Sequence, residues 1–161
     1  MLPCKIRRFS EGDCNIVFEL SEDLGLSPWS VQDYRDELER GDSRMLIAER
    51  GRSVCGFIVG RIVPGNLEDE VDAEIYNIGV SAAYQRSGVG AALIEKFLGL
   101  CRAAGAKFVW LEVRSANSNA IAFYERAGFQ EFATRPKFYR DPEDDAIVMR
   151  LDTESFRVNF V

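Results

Sequence analysis

Seven residues, Gln85-Arg86-Ser87-Gly88-Val89-Gly90-Ala91, lie between a strand-like run and a helix-like run. At such a junction the unpaired backbone N–H groups and the positive end of the helix dipole favour an anion, and the two glycines let a phosphate approach the backbone. A glycine-rich helix start that binds nothing is the competing reading, and the turn by itself is weak evidence. A Walker loop would need Gly-Lys-Ser/Thr at the helix start, whereas Gly90 is followed by Ala91 and Ala92. The dinucleotide fingerprint matches better, with Gly88-Val89-Gly90 before a helix and Glu112 ending the next strand, but ranks a distant second: its third small residue would be Leu93, and the stretch from Ser81 to Ser87 is too long for the tight turn. The sequence contains no histidine. That removes Ser-His-Asp and Cys-His nucleophile pairs and every imidazole metal site, and leaves Glu, Asp, Tyr, Lys or Cys for acid-base chemistry.

The elements that must position this turn follow from periodicity and punctuation. Cys4–Phe9 reads as an edge strand. Ser10 with Asp13 resembles a capping box opening a helix in which Ile16, Leu20 and Leu24 share a face. After a break at Ser27-Pro28-Trp29-Ser30, Ser30 with Asp33 repeats the pattern, predicting a second helix to about Arg40 that stops at Gly41. Arg44–Glu49 and Val54–Ile62 form a hairpin around Arg50-Gly51-Arg52, and Pro64-Gly65-Asn66 ends it. Glu74–Val80 is a further strand. From Gly88 on, Leu93, Phe97, Leu100, Cys101 and Ala104 recur at helical spacing up to Gly105. Phe108–Val113 is a buried strand, Asn117–Ala127 a helix capped by Gly128, and Thr134–Phe138 with Ala146–Leu151 a closing strand pair. This order predicts a mixed α/β (α+β) architecture, helices packed on one sheet, with residues 1–161 as a single domain.

Composition narrows the classes. Twenty basic against 26 acidic residues give a charge of −6, which argues against a nucleic-acid footprint and favours basic or amine partners. Cys4, Cys14, Cys55 and Cys101 form no CxxC pair and read as buried free thiols. The first residues hold no signal-peptide core, and no apolar run approaches the roughly 18 residues of a membrane span, so a soluble, cytoplasmic protein without membrane association is expected.

Tyr76-Asn77-Ile78-Gly79-Val80 followed by Tyr84-Gln85-Arg86-Ser87-Gly88-Val89-Gly90 resembles the acetyl-CoA motif of the GNAT superfamily, Q/R-x-x-G-x-G/A. Leu111-Glu112-Val113-Arg114, Asn117, Ala120-Ile121, Tyr124-Glu125 and Gly128-Phe129 fall at the spacing of its ribosomal-protein alanine N-acetyltransferase branch, the RimI group, and of archaeal relatives. Pro28-Trp29-Ser30, Phe138-Tyr139 and Asp145 to Met149 extend the likeness over most of the chain. There are two departures: Ala91 stands where the branch often has Arg, and Phe138 replaces the first of two tyrosines in the substrate loop.

The resemblance implies a GNAT fold, a mostly antiparallel twisted sheet of about seven strands with about four helices. It implies acetyl-CoA as cosubstrate, coenzyme A as product, no metal, and a protein N-terminus as acceptor, with monomer and homodimer both open. It places the acetyl and pantetheine arm on the backbone of Ile78, Gly79 and Val80, with the Val80 N–H as oxyanion donor. The pyrophosphate falls on Gln85, Arg86, Ser87, Gly88, Val89, Gly90 and Ala91, and Asn117 and Tyr124 join the cofactor site. Glu112 takes the general-base position and Tyr124 that of general acid, with Trp29 and Tyr139 flanking the acceptor groove. Each has a plainer alternative: an ion pair of Glu112 with Arg114 or Arg126, a core tyrosine in the stripe Ala120, Phe123, Tyr124, Ala127, a helix N-cap for Asn117, and a solvated side chain for Arg86. The acceptor is narrowed no further than a protein α-amine, with a small amine or lysine side chain, or a non-catalytic acyl-CoA-binding module, as alternatives.

Overall fold

The computed structural model describes residues 3–26 and 28–155; Ser27 of the expected break and residues 156–161 of the tail lie outside them. Seven strands form one sheet in the order β1-β2-β3-β4-β5-β7-β6. They are β1 Lys5–Arg8, β2 Ser43–Arg50, β3 Ser53–Pro64, β4 Val71–Val80, β5 Ala106–Arg114, β6 Gln130–Tyr139 and β7 Asp144–Asp152, with helices α1 Cys14–Asp23, α2 Val31–Leu38, α3 Val89–Ala103 and α4 Ser118–Arg126. All neighbouring strands are antiparallel except β4 and β5, whose connection runs through α3 as a parallel crossover requires. The expected mixed α/β architecture and element order are those observed.

Two apolar layers hold the sheet. On one face, Leu93, Ile94, Phe97, Leu98 and Cys101 of α3, Tyr124 of α4 and Ala127 just past its end pack on Ile58, Ile75, Val109, Leu111 and Met149. On the other, Cys14 and Val17 of α1 and Tyr34 of α2 pack on Met45, Ile47, Phe57 and Val59. Leu93, Phe97 and Cys101 are buried as their spacing predicts.

Several boundaries and faces differ from expectation: strands β3, β5 and β7 each extend about two residues past an expected end, and four further differences have a visible cause or consequence. The buried stripe of α1 is Cys14, Val17 and Ser21, while Ile16 is exposed. The polar Ser21 hides this stripe from a hydrophobicity pattern; it is tolerated because its hydroxyl donates to the Val17 carbonyl and meets the Tyr34 hydroxyl. Helix α2 ends at Leu38, two residues before Arg40. Strand β4 starts at Val71, not Glu74, because the buried Asp72 carboxylate accepts from the Phe108 N–H and the Trp110 indole N–H, which makes a charged residue acceptable inside the sheet. Strand β6 begins four residues before Thr134; as an edge strand exposed along almost its whole length, it shows no apolar alternation to read.

Candidate active site at the β4–β5 opening

Strands β4 and β5 pair from Val71↔Ala106 to Glu74↔Trp110. Beyond that point β4 follows β3 to Val80↔Gly56, while β5 follows β7 to Arg114↔Ala146. A bulge starts the divergence: Val59 faces Asn77 and Gly60 faces Ile75, leaving Tyr76 as the extra residue. The Ser81 N–H donates to the Cys55 carbonyl at 2.8 Å. In an alternating antiparallel ladder, Ile78 and Val80 therefore direct their N–H and C=O groups away from β3, into the opening. The Val80 carbonyl accepts from the Gln85 side-chain amide at 2.9 Å. Gly79 is required on the other face, where an added Cβ would lie 2.8 to 3.0 Å from Leu26, Phe57 and Leu24. The α1–α2 connection is thus seated directly on this strand end.

The turn from Gln85 to Gly88 leads into α3. Arg86 (φ 57°) and Gly88 (φ 83°) both take positive φ, in the left-handed region. An added Cβ at Gly88 meets nothing within 4 Å, so glycine is needed there for its backbone freedom. Gly90 serves differently: its open side is filled by the Phe123 ring, 3.0 Å from where a Cβ would stand. The Val89 side chain is buried in the core, leaving only its backbone for a ligand. Arg86, Ser87 and Gln85 are exposed, and Ala91 is half-buried in the first turn of α3. Arg50 donates to the Ser87 carbonyl at 3.3 Å, and the Ser87 hydroxyl donates to the Tyr84 carbonyl.

Glu112 lies near the end of β5, on the sheet face opposite Leu111 and Val113, and its side chain is 20% exposed. Its ion-pair partner is Arg135 of β6, with Arg135 Nη1 3.1 Å from Glu112 Oε1, not Arg114 or Arg126. Burial raises its carboxyl above the ordinary range; Arg135 opposes this and Glu74 adds to it. Tyr124 on α4 is buried between Phe123 and Phe129. Burial, and then Tyr139, push its phenol far above the ordinary value, so it keeps its proton throughout the physiological range. Tyr139 is within electrostatic reach of both Tyr124 and Glu112, and the Arg114 guanidinium lies over its ring at 4.3 Å. Asn117 is the N-cap of α4, its Oδ1 accepting from the Ala120 N–H at 3.2 Å while the side chain stays exposed. Trp29 lies half-buried, its ring 5.2 Å from Tyr34, beside the segment seated on Gly79.

The sequence reading missed a second chain of charges behind this opening. Buried Glu37 of α2 accepts two bonds from Arg61 of β3, the Arg61 guanidinium lies 4.9 Å from the Tyr76 ring centroid, and the Tyr76 hydroxyl donates to Glu74 at 3.1 Å. Glu74 pairs with Trp110 in register, which places it on the same sheet face as Glu112, two residues further along β5. The i, i+2 spacing of Glu74 and Tyr76 was a visible signal, but their partners come from α2 and β3. No helix among the described residues is long and apolar enough to cross a membrane.

Comparison with known proteins shows the family. A [ribosomal protein bS18]-alanine N-acetyltransferase of Salmonella typhimurium is 39% identical over 145 residues, covering 88% of this chain and 93% of the relative. The N-alpha-acetyltransferase RimI of Mycobacterium tuberculosis is 31% identical over 157 residues, 94% of each. The crystal structure of the ribosomal-protein-S18-alanine N-acetyltransferase from Escherichia coli superposes with a TM-score of 0.81 at 28% identity, covering 99% of both chains. The pattern of the acetyltransferase (GNAT) family matches residues 14–129, most of the chain, and the chain belongs to that family of N-acetyltransferases.

Proposed function

We propose that this protein, acting as a single domain, transfers the acetyl group of acetyl-CoA to the α-amino group of a protein N-terminus. The observation that carries the reading is the opening between β4 and β5, with the backbone N–H groups of Ile78 and Val80 turned into it on one side and Glu112 on the other, with Tyr124 and Tyr139 nearby. The α-amine acceptor is supported by the names of the relatives, one acting on the alanine of a ribosomal protein and one on N-alpha groups.

Acetyl-CoA supplies an acetyl group activated as a thioester. The N–H groups at the Arg86–Gly88 turn and the start of α3 fit its phosphates, and Arg86 adds positive charge there. The Val80 N–H fits the acetyl oxygen as charge develops on it. Glu112, its carboxyl raised by burial, takes a proton from an α-ammonium whose pKa is about 7.7 to 8.0. Tyr124, held protonated, is suited to return one to the departing thiolate, whose pKa is about 8.5. Trp29 and Tyr139 flank the acceptor. A lysine amine, at about 10.4, is over two units harder to deprotonate, which favours the α-amine at a site with one carboxylate base and no histidine.

The test offers matched peptides with acetyl-CoA, one with a free α-amine and blocked lysine, the other reversed, and reads products by mass spectrometry. Acetylation of the first is expected. Preference for the second overturns the acceptor assignment, and a melting temperature raised equally by NAD and acetyl-CoA overturns the cosubstrate.

A further inference from the structure

Glu112 carries a cation in the free protein. Arg135 reaches it from β6, just where pairing with β7 lapses between Arg135↔Ala146 and Tyr139↔Asp144. The Arg135 side chain is 59% exposed against 20% for Glu112, so the guanidinium covers the carboxylate from the solvent side. It also lies 5.7 Å from the ring centroid of Phe138, itself exposed and adjacent to Tyr139. An acceptor amine arriving along this segment brings the same charge to the same oxygen. A half-exposed pair of this kind is weak and readily broken.

We propose that Arg135 is a positioning residue whose guanidinium holds Glu112 in the free protein and is exchanged for the acceptor's amino group in the complex. The inference rests on Glu112 being the base. The other charged and titratable groups facing Glu112 are Glu74 of β4 and Tyr139 of β6, with Arg114 on its own strand drawn to the Tyr139 ring; on β7 its direct neighbour is the apolar Val148, and Arg150 is engaged by Phe108 and Phe132. Because Arg135 stabilises the ionised carboxylate only before the acceptor binds, its removal changes the free protein and leaves the complex alone.

That asymmetry is measurable, since kcat/KM reports the free enzyme and kcat the complex. The acetylation kinetics of wild type, R135Q and R135K with one α-amine peptide would be followed across pH. On its plateau R135Q is expected to show kcat/KM raised about two- to threefold, through a lower KM at unchanged kcat, matching the small worth of an exposed pair. Its acidic limb in kcat/KM moves to higher pH, the two enzymes converge at low pH, and the kcat profiles superimpose. R135K, which keeps the cation, follows wild type. A fall in kcat/KM, or a kcat limb that moves with it, shows Arg135 engaged in the complex and overturns the exchange; so does an R135Q profile identical to wild type in a variant that melts normally. E112Q separates the two layers: an acidic limb that survives in E112Q removes Glu112 as base, whereas loss of that limb with no response in R135Q removes only the exchange.

Discussion

The hydroxyl of Tyr34 joins three elements at one atom, so Tyr34→Phe tests how β4 is held. Ser21 has one hydroxyl proton, and it goes to the Val17 carbonyl at 2.8 Å. The 2.7 Å contact between Ser21 and Tyr34 must then use the tyrosine proton, and the tyrosine oxygen accepts from Asn77 Nδ2 at 3.2 Å. All three residues are buried. Removing the oxygen deletes the bond to Ser21, worth about 1 kcal/mol, and the bond from Asn77, whose buried amide is left short of a partner at about 1 to 3 kcal/mol. A total near 2 to 4 kcal/mol corresponds to a fall in Tm of roughly 5 to 15 °C for a chain of this size. Calorimetry would read it. A fall under about 2 °C would refute the bond assignment, since no cavity accompanies the change. The double variant Tyr34→Phe, Asn77→Leu, which removes the orphaned donor as well, should regain part of the loss.

Replacing Glu112 by Gln should lower turnover by about 10²- to 10⁴-fold where the base matters. Because burial raises the Glu112 carboxyl, that ratio must shrink as pH falls through the raised value and the base is protonated, and shrink again above about pH 8, where the α-amine loses its own proton; a pH-independent ratio would show a structural role. Gly88→Ala forces a side chain into the left-handed region without a clash, so it should cost about 1 to 2 kcal/mol and weaken acetyl-CoA binding, measured by thermal melts with and without the ligand. Gly88→Asn should be milder, because Asn adopts that conformation more readily.

Much of the fold was legible because its punctuation is local. The Ser30–Asp33 box closes on its own helix in both directions, and Gly51, Gly88, Gly105 and Gly128 adopt positive φ where the chain turns. The illegible parts depend on partners distant in sequence. Nothing near Asp72 announces Trp110, nothing near Glu37 announces Arg61, and Arg114 and Arg126 were nearer candidates for Glu112 than Arg135. The divergence of β4 from β5 is likewise invisible in either strand alone, since each continues to read as a regular strand; it emerges from their different neighbours. Glycine at position 90 also has a neighbour that no local pattern announces, the Phe123 ring against which an added Cβ would press.

That contact between Gly90 and Phe123 makes the site a gauge. Gly90 stands in the first turn of α3, immediately after the proposed phosphate turn, and Phe123 is the residue beside Tyr124 on α4. Backbone of one helix bears on a rigid ring of the other, with no flexible side chain between them to absorb movement. The spacing between the turn before α3 and the Tyr124 phenol on α4 is therefore held by a close contact. On the function proposed above, the carrier's phosphates meet the turn and its sulfur meets Tyr124, so the arm between them is expected to match that span.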